Sequence, residues 1–231
     1  MKKSNPVWEK NYRNKRYNKY PFDSVVSFIF KNFKDKIRKN VKVLDLGCGG
    51  GNNSYFIAKE GFDLYAVDGS NTSIQITREK LSFYDKNKIT KCYFQKLPFQ
   101  KNFFNCVIDR QSLSCNKIKD IKKIVKEIYR TLKEGGKYLG FIYSLDHPEL
   151  KYGKKLADNI YRGNIIGSDY HNFSKGTFKK SGLIHFFSEK EILKLFSDFK
   201  DVSIEKQVIH KLKKNMKYDT QHISFEVSVT K

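Results

Sequence analysis

A short apolar run, Val41–Leu46, leads directly into the glycine-rich segment 47–51, and a helix is predicted to begin near Asn52 or Asn53. Glycine adopts positive φ angles at little cost, so such a segment can turn sharply and bring its main-chain N–H groups close to a ligand. In open α/β sheets, ligands bind beyond the carboxyl ends of the strands. The segment therefore predicts a buried strand of a parallel sheet with a ligand site at its carboxyl end.

Strand-like and helix-like patterns alternate along the first part of the chain. The clearest helical pattern, Ile118–Leu132, has apolar residues on one face, lysines opposite, and the pair Gly135-Gly136 just beyond its end. Parallel neighbouring strands need crossover connections, which are usually helices. We therefore expect an α/β fold in which helices cover both faces of a mostly parallel sheet. The predicted strands of this region are Val41–Leu46, Leu64–Val67, Lys91–Phe94, Cys106–Asp109 and Tyr138–Tyr143.

The alternation stops beyond the fifth predicted strand. Residues 145–187 are rich in Gly, His, Asn and Lys and show little periodicity, which is typical of a functional loop or cap. A helix is predicted at Ser188–Phe199, where a glutamate three residues after the serine gives the spacing of a capping box. Two strands, Val202–Ile209 and Ile223–Thr230, are predicted to complete the sheet.

The glycine spacing limits the kind of ligand. A dinucleotide fingerprint has the spacing G-x-G-x-x-G, whereas Gly47, Gly49 and Gly51 give G-x-G-x-G. No Lys-Ser or Lys-Thr pair follows the glycines, which excludes a nucleoside-triphosphate loop. Asp68 ends the second predicted strand, about twenty residues after the turn, where a carboxylate can accept both hydroxyls of a ribose. These features favour a ligand with a ribose and no pyrophosphate.

On these residues the chain resembles the class I S-adenosylmethionine-dependent methyltransferases. The resemblance rests on the glycine loop at 45–51, on Asp68, and on the segments LPFQKNFFNCVIDRQSL and TLKEGGKYLGF, which follow in the family's order. It implies a Rossmann-like sheet of strand order 3-2-1-4-5-7-6 with an antiparallel last strand, in a single methyltransferase domain over 1–231. It also implies S-adenosylmethionine as the cofactor and S-adenosylhomocysteine as the product.

The same resemblance implies the cofactor contacts. The family often has an acidic residue near the end of the third strand that holds the adenine amino group. Here the segment Tyr93–Leu97 takes that place, and either the Gln95 amide oxygen or a main-chain N–H near Leu97 would serve. The expected cofactor-binding residues are Tyr12, Tyr20, Asp45, Gly47, Cys48, Gly49, Gly51, Asn53, Asp68, Gly69, Ser70, Gln95, Lys96, Leu97, Asp109 and Arg110.

A basic segment with the aromatic residues Trp8, Tyr12, Tyr17 and Tyr20 precedes the first strand. Similar segments of small-molecule methyltransferases fold over the cofactor, so we expect a helical lid over 1–34 that would exclude water from the methyl donor. The alternative is that these aromatics merely cover the edge of the sheet. The segment 145–187 is expected to cover the acceptor.

Methyl transfer to an oxygen can need a general base near the acceptor's proton. Histidine suits this role because its pKa lies near neutrality, and His147, His171 and His185 all lie in the segment 145–187. We predict His171 as the base, narrowly ahead of His147, with Asp109 as a further catalytic candidate and Tyr143 also near a strand end. Each histidine taken alone is better explained as an ordinary core or surface residue, but three of the chain's five histidines fall in this segment. The four cysteines lack metal-ligand spacing, so no metal site is predicted.

The net charge of +22 raises the question of nucleic acid. Nearly all of the excess is lysine, with seven arginines in the whole chain, and arginine is the residue that reads bases and clamps phosphates. The composition therefore favours solvated lysine faces over a nucleic-acid surface. A positive field would also suit a small anionic acceptor.

The favoured function is methyl transfer to a small acceptor, with an oxygen as the favoured target. The chain resembles bacterial enzymes of capsule and surface-glycan modification, whose acceptors include a phosphoramidate or a sugar nucleotide. An RNA methyltransferase and a non-catalytic S-adenosylmethionine-binding protein are the alternatives. No apolar run approaches the roughly 18 residues of a membrane span, and no signal-peptide pattern is present. We expect a cytoplasmic monomer or homodimer.

Overall fold

The computed structural model describes residues 6–212 and 218–231, without the side chains of 212 and 218–220. The helices are α1 Pro6–Arg13, α2 Asp23–Phe33, α3 Asn52–Lys59, α4 Asn71–Lys80, α5 Ile118–Thr131 and α6 Glu189–Leu195. The strands are β1 Lys42–Leu46, β2 Asp63–Asp68, β3 Ile89–Lys91, β4 Phe104–Arg110, β5 Leu132–Tyr143, β6 Lys154–Tyr161, β7 Asn164–His171, β8 Ile184–Phe187, β9 Lys200–Leu212 and β10 Tyr218–Thr230.

The main sheet has seven strands in the order β3-β2-β1-β4-β5-β10-β9. The first five are mutually parallel, and β10 pairs antiparallel to both β5 and β9. Counted along the chain within this sheet, the order is 3-2-1-4-5-7-6, so the predicted topology with its antiparallel last strand is confirmed. The carboxyl ends of β1, β2 and β4 consequently meet at one edge of the sheet.

Two apolar cores cover the two faces of the sheet. On β1, Val43 packs into the core under α2 and α3, while its neighbour Leu44 packs into the core under α5 and α6. Successive side chains of a strand point to opposite faces, which explains why this strand is apolar throughout. The apolar side chains of α2 belong to the first of these cores. Each fully buried aliphatic side chain contributes roughly 1.5–3 kcal/mol to the stability of the fold.

Several boundaries differ from the sequence prediction: β5, for example, begins at Leu132 instead of Tyr138. Two further differences concern the third strand and the last helix. The third strand was predicted at Lys91–Phe94 but ends at Lys91, because the chain turns at Phe94 after a last bond from Cys92 N to Asp68 O (3.1 Å). The last helix begins as predicted, with Ser188 Oγ accepting from Glu191 N, but it ends at Leu195. The apolar residues beyond its end pack into the core from a turn.

The segment 145–187 has more regular structure than its sequence indicates. It contains a three-stranded antiparallel sheet in the order β6-β7-β8. Nearly every side chain of the edge strand β6 is exposed, so this strand has no apolar alternation by which a sequence pattern could reveal it. The expectation of an irregular segment was therefore wrong, while its position after the fifth strand was right.

A buried ionic cluster ties this small sheet to α6. His185 on β8 lies 2.7 Å through Nδ1 from Asp169 Oδ1 on β7, and 2.9 Å through Nε2 from Glu191 Oε2 on α6. Burial alone would lower the pKa of His185, but the two hydrogen-bonded carboxylates outweigh it and raise the pKa. The ring is therefore held as an imidazolium that satisfies both carboxylates.

No helix in the described part of the chain is long and apolar enough to cross a bilayer.

Replacing this imidazolium should destabilise the protein in a pH-dependent way. His185→Gln leaves two buried carboxylates without their cation, and we expect a loss of about 3 kcal/mol in the free energy of unfolding, measured by urea denaturation at pH 6. A raised folded-state pKa contributes stability that is complete below the unfolded value and lost as the pH rises through the folded one. The difference between wild type and variant should therefore shrink toward high pH. His171→Gln, at the partly exposed end of β7, is the control, and an equal loss in both variants would contradict the assignment.

Candidate active site

A cavity of about 710 Å³ opens at the carboxyl edge of the main sheet. Its walls come from the glycine loop after β1, from the ends of β2 and β4, from 92–95 after β3, from the α1 segment, and from residues 181–184 before and at the start of β8. Sites for small ligands typically have volumes of about 300–1,000 Å³. The cavity therefore has room for a nucleoside-sized cofactor and a small second molecule.

The glycine loop is held by the end of β2 and by the first turn of α4. Gly47, Gly49 and Gly51 have φ angles of +81°, +55° and +70°, which favour glycine. Gly47 N donates to Val67 O at 2.8 Å, and Ser73 Oγ donates to Gly49 O at 2.7 Å. The backbone itself thus forms the floor of the cavity in a fixed shape.

Aromatic side chains of the N-terminal segment lie directly on this floor. A Cβ added to Gly50 would lie 2.2 Å from the Tyr17 ring, and one added to Gly49 would lie 3.2 Å from the Tyr12 hydroxyl. Trp8 and Phe22 also line the cavity. The absence of a Cβ at Gly49 and Gly50 is therefore what permits these rings, and a ligand beside them, to approach the main chain.

Helix α1 is fastened at two places across the cavity. Glu9 Oε2 accepts a hydrogen bond from Ser70 Oγ at 2.6 Å, at the start of α4, and Glu9 also accepts from Thr72. Asn11 Nδ2 donates to Lys180 O at 2.8 Å, in the segment 145–187. The helix therefore bridges the start of α4, beyond the end of β2, and the 3-10 turn Thr177–Lys180 that precedes β8.

Asp68 is oriented by the backbone around it. Its Oδ2 accepts from Gly49 N at 3.0 Å, and its Oδ1 accepts from Ser70 N at 2.8 Å. Each carboxylate oxygen can accept more than one hydrogen bond, so the group stays able to accept the hydroxyls of a ribose from the cavity side. Asp68 lines the cavity, as the resemblance implied.

Asp109 supports the cavity wall from behind and does not line it. It accepts hydrogen bonds from Ser112 N (2.8 Å) and Leu113 N (3.1 Å) and contacts the Ser112 hydroxyl. That hydroxyl also lies 2.8 Å from Leu46 O at the end of β1. Asp109 thus shapes the turn after β4 and ties it to the glycine loop, instead of facing a bound molecule.

Three buried carboxylates carry raised pKa values around the loop. Burial raises the pKa of Asp45 to about 7, with a further contribution from the charges of Asp68 and Asp109, although Ser54 partly offsets it. Burial raises the pKa of Asp109 to about 6 and also raises that of Asp68. Since proximity of like charges disfavours ionisation, the cluster gains negative charge as the pH rises through this range.

None of the three histidines predicted as candidates lines the cavity. His147 is buried, accepts from Glu149 N through Nδ1 (3.2 Å), and lies 3.0 Å through Nε2 from His222 Nδ1. Burial and His222 lower its pKa to about 4. His171 lies at the end of β7, partly exposed, and His185 is enclosed by its two carboxylates. The described structure thus gives no histidine contact with the cavity.

Most residues predicted to bind the cofactor do line the cavity: Tyr12, Gly47, Cys48, Gly49, Asn53, Asp68, Gly69, Ser70, Gln95 and Arg110. The others predicted from the sequence lie elsewhere: Tyr20, Asp45, Gly51, Lys96, Leu97 and Asp109. Tyr20 is 81% exposed, and Asp45 lies beneath the loop, where Ser54 Oγ donates to it at 2.5 Å. The main-chain N–H of Leu97, considered for adenine, donates to Glu127 Oε2 at 2.7 Å.

Among the lining residues that were not singled out from the sequence, two groups form continuous parts of the wall, the second of them within the segment 145–187 expected to cover the acceptor. One is the turn and loop after β4, from which Gln111, Ser112, Cys115, Asn116 and Lys117 line the cavity; the other is Ser181, Leu183 and Ile184. The turn could have been found from its position, because it follows the carboxyl end of a strand next to β1. The residues of the second part are of types that indicate no particular chemistry, so the sequence alone does not reveal them.

The residues present fit an adenosine-bearing cofactor. A floor of bare backbone, a carboxylate at the end of β2 for a ribose, and aromatic rings above provide apolar and polar contacts of the kinds that such a molecule needs. The phosphate-binding alternatives lack their residues here.

Comparison with known proteins agrees with this geometry. Residues 43–136 match the family described as methyltransferase domain. The chain is 35% identical over 115 residues to a sterol 4-C-methyltransferase of Caenorhabditis elegans, covering 48% of this chain and 33% of the relative. It is 29% identical over 149 residues to a ubiquinone biosynthesis O-methyltransferase of Pelagibacter ubique, covering 62% and 55%. The chain thus spans between about a third and about half of the length of these curated relatives.

Solved structures share the whole fold. A SAM-dependent methyltransferase of Methanosarcina mazei superposes with a TM-score of 0.61 at 17% identity, covering 92% of this chain and 98% of the other. A phosphoethanolamine N-methyltransferase 2 of Haemonchus contortus, solved with S-adenosyl-L-methionine, gives 0.63 at 18% identity, covering 96% and 56%. At these identities the likeness is one of fold.

The family match over 43–136 and the strand order of the sheet show that the chain has the Rossmann-like fold of S-adenosylmethionine-dependent methyltransferases.

Proposed function

We propose that the protein transfers a methyl group from S-adenosylmethionine to a small acceptor bound between the glycine loop and the segment 145–187. The observation that carries this proposal is the continuity of the cavity, which runs from Gly49 and Asp68 to Tyr143 and Ile184. The first pair suits the cofactor, and the second pair leaves a separate space for an acceptor. Helix α1, as a lid over both, belongs to the same proposal.

The cofactor supplies an activated methyl group on a sulfonium, and methyl transfer is an in-line displacement for which positioning supplies much of the acceleration. The protein's part is then to orient and to exclude water. The loop backbone and Asp68 fix the nucleoside, while Tyr12 and Tyr17 cover it. The bond from Asn11 to Lys180 O ties the cover to the turn that precedes β8.

No general base is needed from the histidines in this proposal. Tyr143 lines the acceptor half of the cavity. Burial raises the pKa of its phenol, so the hydroxyl keeps its proton and can donate a hydrogen bond to the acceptor. The acceptor nucleophile would then carry a lone pair available at neutral pH, such as an ionised oxygen. This retains an oxygen as the favoured target and replaces His171 and His147 as the predicted base.

A small anionic acceptor remains our proposal for the substrate class. The curated relatives are named for sterols and ubiquinone, and one structural neighbour was solved with phosphomonomethylethanolamine. Glycan precursors such as a sugar nucleotide have support from the charge of the chain alone. Enclosure of the cavity by α1 and by the segment 145–187 favours a small acceptor over RNA.

The direct test is transfer of a tritium-labelled methyl group from S-adenosylmethionine to separate pools of small metabolites, RNA and protein. We expect the label in the small-molecule pool. Label in RNA would contradict the proposal and favour the RNA methyltransferase. Binding of S-adenosylhomocysteine without transfer to any pool would favour the non-catalytic alternative.

Removing the charge of Asp68 should weaken cofactor binding specifically. Hydrogen bonds to a charged group contribute about 1.5–3 kcal/mol, so Asp68→Asn is expected to weaken S-adenosylhomocysteine binding by roughly ten- to a hundredfold in isothermal titration calorimetry. Asp35→Asn changes an exposed carboxylate of the same type outside the cavity and should bind as wild type does. Equal affinity in both variants would remove Asp68 from the site.

The preference for the cationic donor over its uncharged product should rise with pH. Asp45 and Asp109, with pKa values raised to about 7 and about 6, lose protons between pH 5.5 and 8 and gain negative charge beneath the cavity. At the effective dielectric constant of a protein site, one such negative charge stabilises the sulfonium of the bound donor by about 1 kcal/mol. The ratio of the two dissociation constants, product over donor, should therefore increase about fivefold over this range. Asp45→Asn should flatten the rise, and a pH-independent ratio in the wild type would refute this electrostatic role.

A further inference from the structure

Arg110, the last residue of β4, is a half-buried cation in the wall of the cavity. Its guanidinium lies between two aromatic rings, 4.2 Å from the ring centroid of Phe22 and 4.3 Å from that of Phe141. Its Nε and Nη1 are buried and have no hydrogen-bond partner among the described residues. Buried polar groups are nearly always hydrogen-bonded, so each exception calls for an explanation.

The neighbouring carboxylates do not supply the missing partner. Asp109 is engaged by the turn after β4, and Glu226 on β10 accepts from Gln207 Nε2 at 2.9 Å. Neither forms an ion pair with Arg110 in the described part of the chain, and neither does Asp23 at the start of α2. The cation–π contacts with the two rings offset only part of the cost of burying a charge without hydrogen bonds.

Arg110 faces the acceptor half of the cavity. In the sheet, Arg110 lies in register with Phe141 on β5, and Phe141 lies in register with Glu226 on β10. The three side chains therefore lie on one face of the sheet, in a row that extends from β4 in the direction away from β2 and Asp68. Tyr143, two residues beyond Phe141, lines the same end of the cavity and interacts electrostatically with Arg110. A protonated phenol and a guanidinium are both hydrogen-bond donors.

We propose that Arg110, assisted by Tyr143, binds an oxyanion of the methyl acceptor, a carboxylate or a phosphate. The planar guanidinium can donate two parallel hydrogen bonds to such a group, from Nη2 together with either Nε or Nη1. The oxyanion thus gives one of the two unpaired nitrogens a partner and fixes the acceptor beside the cofactor. Arg110 is then a specificity-determining residue that excludes neutral analogues, because an uncharged group would leave the cation buried and unpaired. This inference rests on the proposed function, since it assigns the class of the acceptor.

The test uses the full chain saturated with S-adenosylhomocysteine and measures the affinity of small probes by calorimetry. The matched pairs are acetate with acetamide and benzoate with benzamide, and inorganic phosphate and phenyl phosphate separate phosphate from carboxylate recognition. We expect the oxyanions to bind at least tenfold more tightly than their neutral partners. Arg110→Gln should abolish that difference, while Arg162→Gln, an exposed arginine in the turn between β6 and β7, should preserve it.

A second readout separates ligand binding from a structural role. Because Arg110→Gln removes an unpaired buried charge, the thermal stability of the ligand-free variant should be equal to or above that of the wild type, and a marked loss would contradict the proposal. Binding of neutral and anionic probes alike, or of no oxyanion at millimolar concentrations, would overturn it as well.

The cofactor also has a carboxylate, so its binding is the third readout. If Arg110 held that group, Arg110→Gln would weaken S-adenosylhomocysteine but leave 5′-methylthioadenosine, which has no carboxylate, unaffected; this result would overturn the acceptor assignment. We expect both to bind the variant as they bind the wild type. Failure of the wild type to bind either nucleoside would contradict the proposed function. The comparison of oxyanions with their neutral partners would then be made on the ligand-free protein, so that the two proposals are tested separately.

Discussion

The rest of the structure depends on the bare backbone of the loop 47–51 at the end of β1. Ser112 from the turn after β4 and Ser73 from α4 hold this loop through hydrogen bonds to Leu46 O and Gly49 O. Aromatic rings then lie on the loop at distances that a Cβ would prevent. A side chain at Gly47 would lie 2.4 Å from the Ser112 Cβ, so the floor of the cavity and its wall require the same glycines.

Charge is distributed unequally around this floor. Carboxylates with raised pKa values lie beneath and beside the loop, near the space assigned to the cofactor. The unpaired guanidinium of Arg110 lies on the opposite side, toward β5 and β10. Such preorganised charges act strongly because the surroundings are poor in water. A cationic donor and an anionic acceptor would thus each meet a complementary charge, and the two ends of the cavity would discriminate between them.

The sequence predicted the parts of the site that depend on local chemistry. The glycine loop, Asp68 and the cap at Ser188 follow from residue type and spacing, and the sheet order follows from the family resemblance. The prediction of a catalytic histidine failed because residues distant in the sequence determine the environment of each ring. His147 and His185 looked available in the sequence, but His222 and Glu191 bind them in the fold. The apolar residues 92–94 were predicted to belong to the third strand, but they lie beyond its end and line the cavity.

The central claim is that an adenosine-bearing cofactor lies on this loop with its sugar held by Asp68. A crystal structure of the protein with S-adenosylhomocysteine tests it most directly. The account predicts ribose hydroxyl oxygens at about 2.7 Å from the Asp68 carboxylate, with the adenosine in the cavity beside the loop and the rings of the N-terminal segment. A nucleoside bound elsewhere, or one whose sugar leaves Asp68 without a contact, would contradict the account.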